Sequence, residues 1–205
     1  MDGSLHPVQI PDIAPDKREI LRYAMLPSCA EMPEDLPLEE CLALSEGKIR
    51  CRAVWKTFPL SFSDSGLNLG FASVSSAALR RHLEGCDALI LFACTAGFET
   101  DRLIARCGAR SPAHGLVMHA IGAQQVEGAC DWLCARLAES FPDRTLTSRF
   151  SPGYEDLPLD LQRKVIPALS CEKTVGITLN DSLLMQPSKS VTAIIGMKRC
   201  SNVPD

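Results

Sequence analysis

Seven apolar residues in a row, Ala88 to Cys94 (A-L-I-L-F-A-C), constrain this chain more than any other feature. A run of that kind has no polar face to turn to water, so it reads as a strand covered on both sides rather than one. Such a strand lies at the centre of a sheet and requires a layer of structure above and below it.

The flanking segments supply those layers. Ile49, Cys51, Ala53 and Trp55 alternate with Arg50, Arg52 and Lys56, the period of a half-buried strand. Ser63-Asp64-Ser65-Gly66 before Leu67 and Leu69 predicts a hairpin, and a helix follows over 76–84, closed by Gly85. After Thr95-Ala96-Gly97 another helix carries Leu103, Ile104 and Cys107. Ser111-Pro112 then opens the longest helical pattern, near 112–141, with Val117, Ile121, Val126, Ala129, Leu133 and Leu137 on its apolar positions and Pro142 as its stop. Gly115, Gly122 and Gly128 each weaken that helix by up to about 1 kcal/mol relative to alanine, which predicts close packing, a kink or a bound ligand. A strand over 145–150, a Pro-Gly loop, a helix from near Pro158 and strands over 175–179 and 191–197 complete the pattern.

The first 40 residues are rich in proline (Pro7, Pro11, Pro15, Pro27, Pro33, Pro37), which favours extended or turn backbone. One short helix is expected there, capped by Asp16 with Glu19 three residues on and carrying Ile20, Leu21 and Ala24. A second runs over 38–46 and ends at Gly47. The predicted organisation is a helical arm over residues 1–45 on a domain over 46–200, the two forming one globular unit, as 205 residues allow. Helices grouped between strand pairs favour an α+β fold, a mostly antiparallel twisted sheet with flanking helices, over a doubly wound one.

With 46% apolar and 22% charged residues, the chain has the composition of a soluble globular protein. No run approaches the ~18 apolar residues of a membrane span, and residues 1–15 carry neither a basic patch nor an apolar stretch; no membrane partner and a cytoplasmic location are expected. A formal charge of −4 provides no basic field for nucleic acid. The ten cysteines are scattered and none forms a CxxC pair, so reduced thiols packed as small hydrophobes are expected. Cys130 and Cys134 share the long helix with His114 and His119, but the spacing fits no standard zinc motif, and no metal site is expected. G-x-G-x-x-G after a strand, a Walker A loop, H-E-x-x-H and G-x-S-x-G are all absent.

Ser151-Pro152-Gly153-Tyr154 has the chemistry of a type II turn: proline fixes the first central residue and glycine supplies the positive φ at the second. By itself it is only a turn. Arg149 reads equally as a solvated strand-end residue, Tyr154 as a half-buried packing residue and Glu127 as a solvated helix residue. Asp181 and Ser182 read as a turn pair and Met185 as core.

The stretch R-F-S-P-G-Y-E-D-L-P-L-D-L-Q from Arg149, followed by G-I-T-L-N-D-S-L-L-M-Q-P-S-K-S-V-T-A-I-I-G from Gly176, resembles the activation domain of vitamin B12-dependent methionine synthase, and more particularly its small free-standing relatives. L-I-L-F-A-C-T-A-G and the long helix, with V-E-G-A-C-D-W-L-C-A-R-L, extend the resemblance over most of the chain. It implies that S-adenosylmethionine binds beside the Arg-x-Ser-Pro-Gly-Tyr loop and supplies the methyl group that rescues cob(II)alamin after one-electron reduction. Arg149 would then pair with the ligand carboxylate and Glu127 would face its α-ammonium. Ser151, Pro152 and Gly153, through their backbone, and Tyr154 would hold the adenosine end. The resemblance implies no catalytic side chain, and a partner that is a cobalamin-dependent methionine synthase lacking its own activation domain. A flavodoxin- or ferredoxin-like protein would be the electron donor. Asp-x-His-x-x-Gly, by which many corrinoid proteins supply a histidine to cobalt, is absent, so the cobalamin would come with the partner. Where the fused enzyme lines its site with an aromatic residue from the last strand region, this chain has Ile195. Two other readings stay open: a docking module that stabilises a corrinoid methyltransferase without binding S-adenosylmethionine, and the same chemistry serving a different corrinoid methyltransferase.

Overall fold

The computed structural model describes residues 3–26, 36–64 and 66–200; Pro27, Pro33 and Ser65 of the sequence patterns lie outside them. In chain order the elements are β1 (His6–Gln9), α1 (Lys17–Tyr23), α2 (Leu38–Ser45), β2 (Arg52–Pro59), β3 (Ser61–Ser63), β4 (Gly66–Asn68), β5 (Ser73–Val74), α3 (Ala77–His82) and β6 (Ala88–Thr95). Next come α4 (Phe98–Arg110), α5 (Pro112–Ser140), β7 (Arg144–Leu146), a 3-10 turn (Leu159–Leu161), α6 (Gln162–Ala168), α7 (Cys171–Thr174), β8 (Thr178–Leu179), β9 (Met185–Gln186) and β10 (Ser190–Arg199).

The apolar run is β6, and it takes the middle place in a five-stranded antiparallel sheet of order β1-β2-β6-β10-β7. All eight of its residues are buried. Ala88, Ile90, Phe92 and Cys94 face a core closed by α5 and its neighbours through Val117, Met118, Ile121, Leu133 and Leu137. Leu89, Leu91 and Ala93 face a second core with Leu67, Leu79, Leu161, Val165 and Leu169. Each fully buried Leu, Ile or Phe on this strand contributes about 1.5–3 kcal/mol relative to exposure, and both layers are needed to collect that gain. The fold is α+β, antiparallel and flanked by helices, as the sequence predicts.

Capping accounts for several boundaries. The Asp16 carboxylate accepts from the Arg18 and Glu19 amides at the start of α1, while Glu19 turns forward to Arg22 instead of back to the cap. Ser76 caps α3, and Ser111 with Pro112 opens α5. The glycines of α5 mark close packing: an added Cβ would stand 2.9 Å from the Gly108 Cα at Gly115, 2.8 Å from Thr100 Cγ2 at Gly122 and 2.7 Å from Ile13 Cγ2 at Gly128.

Four local expectations change. Residues 6–9 form a strand, β1, at the sheet edge, where Pro7 lacks an N–H that the open side does not need. The strand at 52–59 is covered on both faces at its centre, since Val54 is as buried as Ala53, rather than half-buried throughout. Within 175–179 only Thr178–Leu179 pair, because Gly176 at φ +75° bends the chain before them. Within 145–150 the ladder is broken, with a consequence for the site described below. Among the described residues no helix is long and apolar enough to cross a membrane.

Candidate functional site

β7 pairs with β10 through Leu146↔Met197, and Thr147 still bonds to Gly196, its amide donating to the Gly196 carbonyl at 3.0 Å and its hydroxyl accepting from the Gly196 amide at 2.8 Å. Phe150 then exchanges two backbone bonds with Ile194, at 2.9 and 2.8 Å. Ser148 and Arg149 therefore stand opposite Ile195 alone, which is a β-bulge with one extra residue. The bulge removes Arg149 from the ladder and sends its side chain to α5. There Arg149 Nη1 donates to Glu127 Oε2 at 2.9 Å and Nη2 to Asp131 Oδ1 at 2.8 Å, one helical turn apart. Burial alone would loosen the Arg149 proton, but the Glu127 and Asp131 carboxylates offset it and hold the guanidinium pKa above its ordinary value.

The turn that follows has the predicted geometry. Gly153 has φ +88°, and the Tyr154 amide donates to the Ser151 carbonyl at 3.1 Å. Gly153 N–H to Leu157 O and Leu157 N–H to Tyr154 O tighten the loop. Asp156 fastens it to the second layer by accepting from Ser76 Oγ at 2.5 Å and from the Ala77 and Ala78 amides. The Ser76 hydroxyl and these amides hold the Asp156 carboxyl below its usual pKa.

Past Phe150 no strand among the described residues lies beside the outer edge of β10, and a groove of about 750 Å³ runs along that edge, lined by Ser190, Val191 and Thr192. Backbone alternation turns the Thr192 N–H and C=O to the same side as those of Ile194, toward the groove. Glu127, Ser151 and Pro152 form one wall; Leu159 and Gln162, whose amide is locked to Thr192 Oγ1 at 2.7 Å, form another. The β8–β9 turn contributes Asn180, Leu183, Leu184 and Met185, and α4 contributes Phe98 and Asp101. Phe98, Leu159 and Leu184 on this lining are among the most exposed large apolar side chains.

The structure thus brings Glu127, Ser151 and Pro152 together on the groove, with Arg149 joined to it through Glu127. Gly153 and Tyr154 are not among its lining residues; Tyr154 is exposed and packs edge-on against Phe150 at 5.5 Å. Met185 both packs on the second core and lines the groove. Ile195 is buried in the first core, so the aromatic side chain on the groove comes from Phe98 instead. The sequence reading did not single out Phe98, Asp101 or Gln162: an aromatic and an acid three residues apart after Gly97 are an ordinary helix start, and Gln162 carries no local signal. His114 bonds Ser111 and Glu40, and His119 bonds Lys189; no group of three or more metal-binding side chains gathers among the described residues. All the cysteines among the described residues are free thiols, most of them buried.

The fold is similar to a solved structure described as the MetH reactivation domain bound to AdoHcy, with a TM-score of 0.66 and 16% sequence identity over 98% of this chain and 80% of that one. No protein-family model matches the chain, and no curated protein matches it by sequence.

Proposed function

We propose that this chain holds S-adenosylmethionine in the groove beside the Ser151–Tyr154 turn and presents its methyl group to the corrinoid of a separate cobalamin-dependent methionine synthase lacking its own activation domain. In this role it supports reductive methylation of cob(II)alamin. The observation that carries the reading is the Arg149–Glu127 pair, a guanidinium and a carboxylate 2.9 Å apart at the wall of a groove, in a fold shared with a reactivation domain.

The residues fit the ligand's chemistry. An amino-acid zwitterion can enter between the two: its carboxylate takes the Arg149 fork and its α-ammonium takes Glu127, so each member of the pair trades one ionic contact for another. Backbone around Ser151 and Pro152 and the Thr192 edge hold the adenosine end; Gly153 shapes the turn that presents them, and the Tyr154 ring, outside the groove lining, reaches the ligand only if it turns from Phe150. The partner's cobalamin supplies the methyl acceptor, and a flavodoxin- or ferredoxin-like protein the electron. No side chain here acts as acid or base; the contribution is position and preorganised charge. Exposed Phe98, Leu159 and Leu184 give the partner an apolar rim to cover.

Calorimetric titration tests the reading. The wild-type protein binds S-adenosylmethionine, and Arg149→Ala weakens binding about 30-fold, near the roughly 2 kcal/mol lower end for truncating one partner of a charge pair, because Arg149 is only 25% exposed. Unchanged affinity in Arg149→Ala would contradict it. One observation favours the docking module that binds no ligand: both terminal nitrogens of Arg149 already carry carboxylates. Absence of heat with and without a corrinoid partner would decide for that module.

A further inference from the structure

We propose that Phe98 and Asp101, on the first turn of α4, seat the sulfonium of the ligand and make the groove prefer the charged methyl donor to its neutral thioether product. This rests on the S-adenosylmethionine reading above and adds to it the residues that separate substrate from product.

Two carboxylates line the groove, and they are not in the same electrical state. Glu127 is paired with Arg149 at 2.9 Å. Asp101 forms no ion pair among the described residues: its oxygens accept from the Ser188 amide at 2.9 Å and the Ser188 hydroxyl at 2.5 Å. Those uncharged donors fix the carboxylate without neutralising it; its charge also acts on the buried Lys189 ammonium and on His119, but no ion pair forms among the described residues, so part of its field remains available to a ligand. The nearest lysine in sequence to that contact, Lys189, is buried and turns its ammonium to His119 on α5, with both ring nitrogens within 3.1 Å. Glu99 and Asp101 also offset the positive end of α4, which would otherwise repel a cation.

Phe98 lies three residues before Asp101 and on the same lining, 50% exposed. An aromatic face beside a fixed carboxylate suits a compact, weakly hydrated cation, and a sulfonium bearing methyl and methylene groups is one. The α-ammonium has its own partner in Glu127 under the reading above. What remains for Asp101 is the second positive charge, which S-adenosylmethionine has and S-adenosylhomocysteine lacks. Ile195, buried in the core, leaves the aromatic contribution to α4.

The test compares affinities of the full chain for S-adenosylmethionine and S-adenosylhomocysteine by calorimetry. Wild type is expected to favour the sulfonium form. Asp101→Asn, which keeps an acceptor for Ser188, is expected to weaken S-adenosylmethionine about tenfold, or 1.4 kcal/mol, and to change S-adenosylhomocysteine less than about twofold. Phe98→Leu, a substitution at a half-exposed side chain, is expected to cost about threefold on the sulfonium ligand alone. Equal loss of both ligands would overturn the proposal, since it would mean a structural or ammonium-binding role; so would unchanged preference in both variants. If wild type bound neither ligand, the reading of the groove itself would fall, and this inference with it.

Discussion

At the scale of single residues, the site depends on side chains that the sequence separates widely. Arg149 and Glu127 are 22 positions apart and Asp101 and Ser188 are 87 apart, so local pattern had no means of pairing them. The first pair was reachable through the motif around the Pro-Gly turn; the second was not, because an acid in the first turn of a helix reads as dipole compensation and nothing more. His119 shows how residue chemistry reaches stability. Burial, and then the charge of Lys189, lower its pKa below the ordinary 6.5, while Asp101 opposes them. A depressed folded-state pKa means that the unfolded chain takes up the proton first, so this contribution is fully present above pH 6.5 and is lost as pH falls through the folded value. The melting temperature should therefore begin to drop below about pH 6.5, before the carboxylates titrate. In His119→Gln the drop between pH 6.5 and 5 should be smaller. Parallel curves for the two proteins would show that the Lys189–His119 contact carries no such linkage.

At the scale of elements, the helices and the central strand were legible because their signals are local. Asp16, Ser76 and Ser111 each cap the helix they were read to start, or in the last case open with Pro112, and β6 is buried on both faces as an unbroken apolar run requires. What stayed hidden needed a partner strand to define it. The edge strand β1 exists because β2 is there to pair with it, and the bulge at Ser148–Arg149 is a mismatch of register between β7 and β10 that neither sequence contains alone. The α5 glycines were ambiguous until their neighbours were known. Gly115 meets the backbone of Gly108, which cannot turn aside as a side chain would. Gly115→Ala should cost about 1–3 kcal/mol in denaturant unfolding by forcing α4 and α5 apart, despite alanine's better helix propensity. A stabilised variant would mean that the corner between these helices is looser than its geometry implies.

At the scale of the whole molecule, the sheet joins two cores and leaves one edge of β10 open between α5 and α6, and the groove follows from that arrangement. The overall fold is similar to that of the MetH reactivation domain structure over 98% of this chain, at 16% identity. As proposed above, this fold would deliver a methyl group to a corrinoid held by another protein. The most direct measurement mixes the chain with a cob(II)alamin-loaded methionine synthase lacking its own activation domain, a reductant and methyl-labelled S-adenosylmethionine. Label is expected on the corrinoid when this protein is present, none when it is omitted, and little with Arg149→Ala. Equal labelling with and without the protein, or none in either case, would overturn the proposed role.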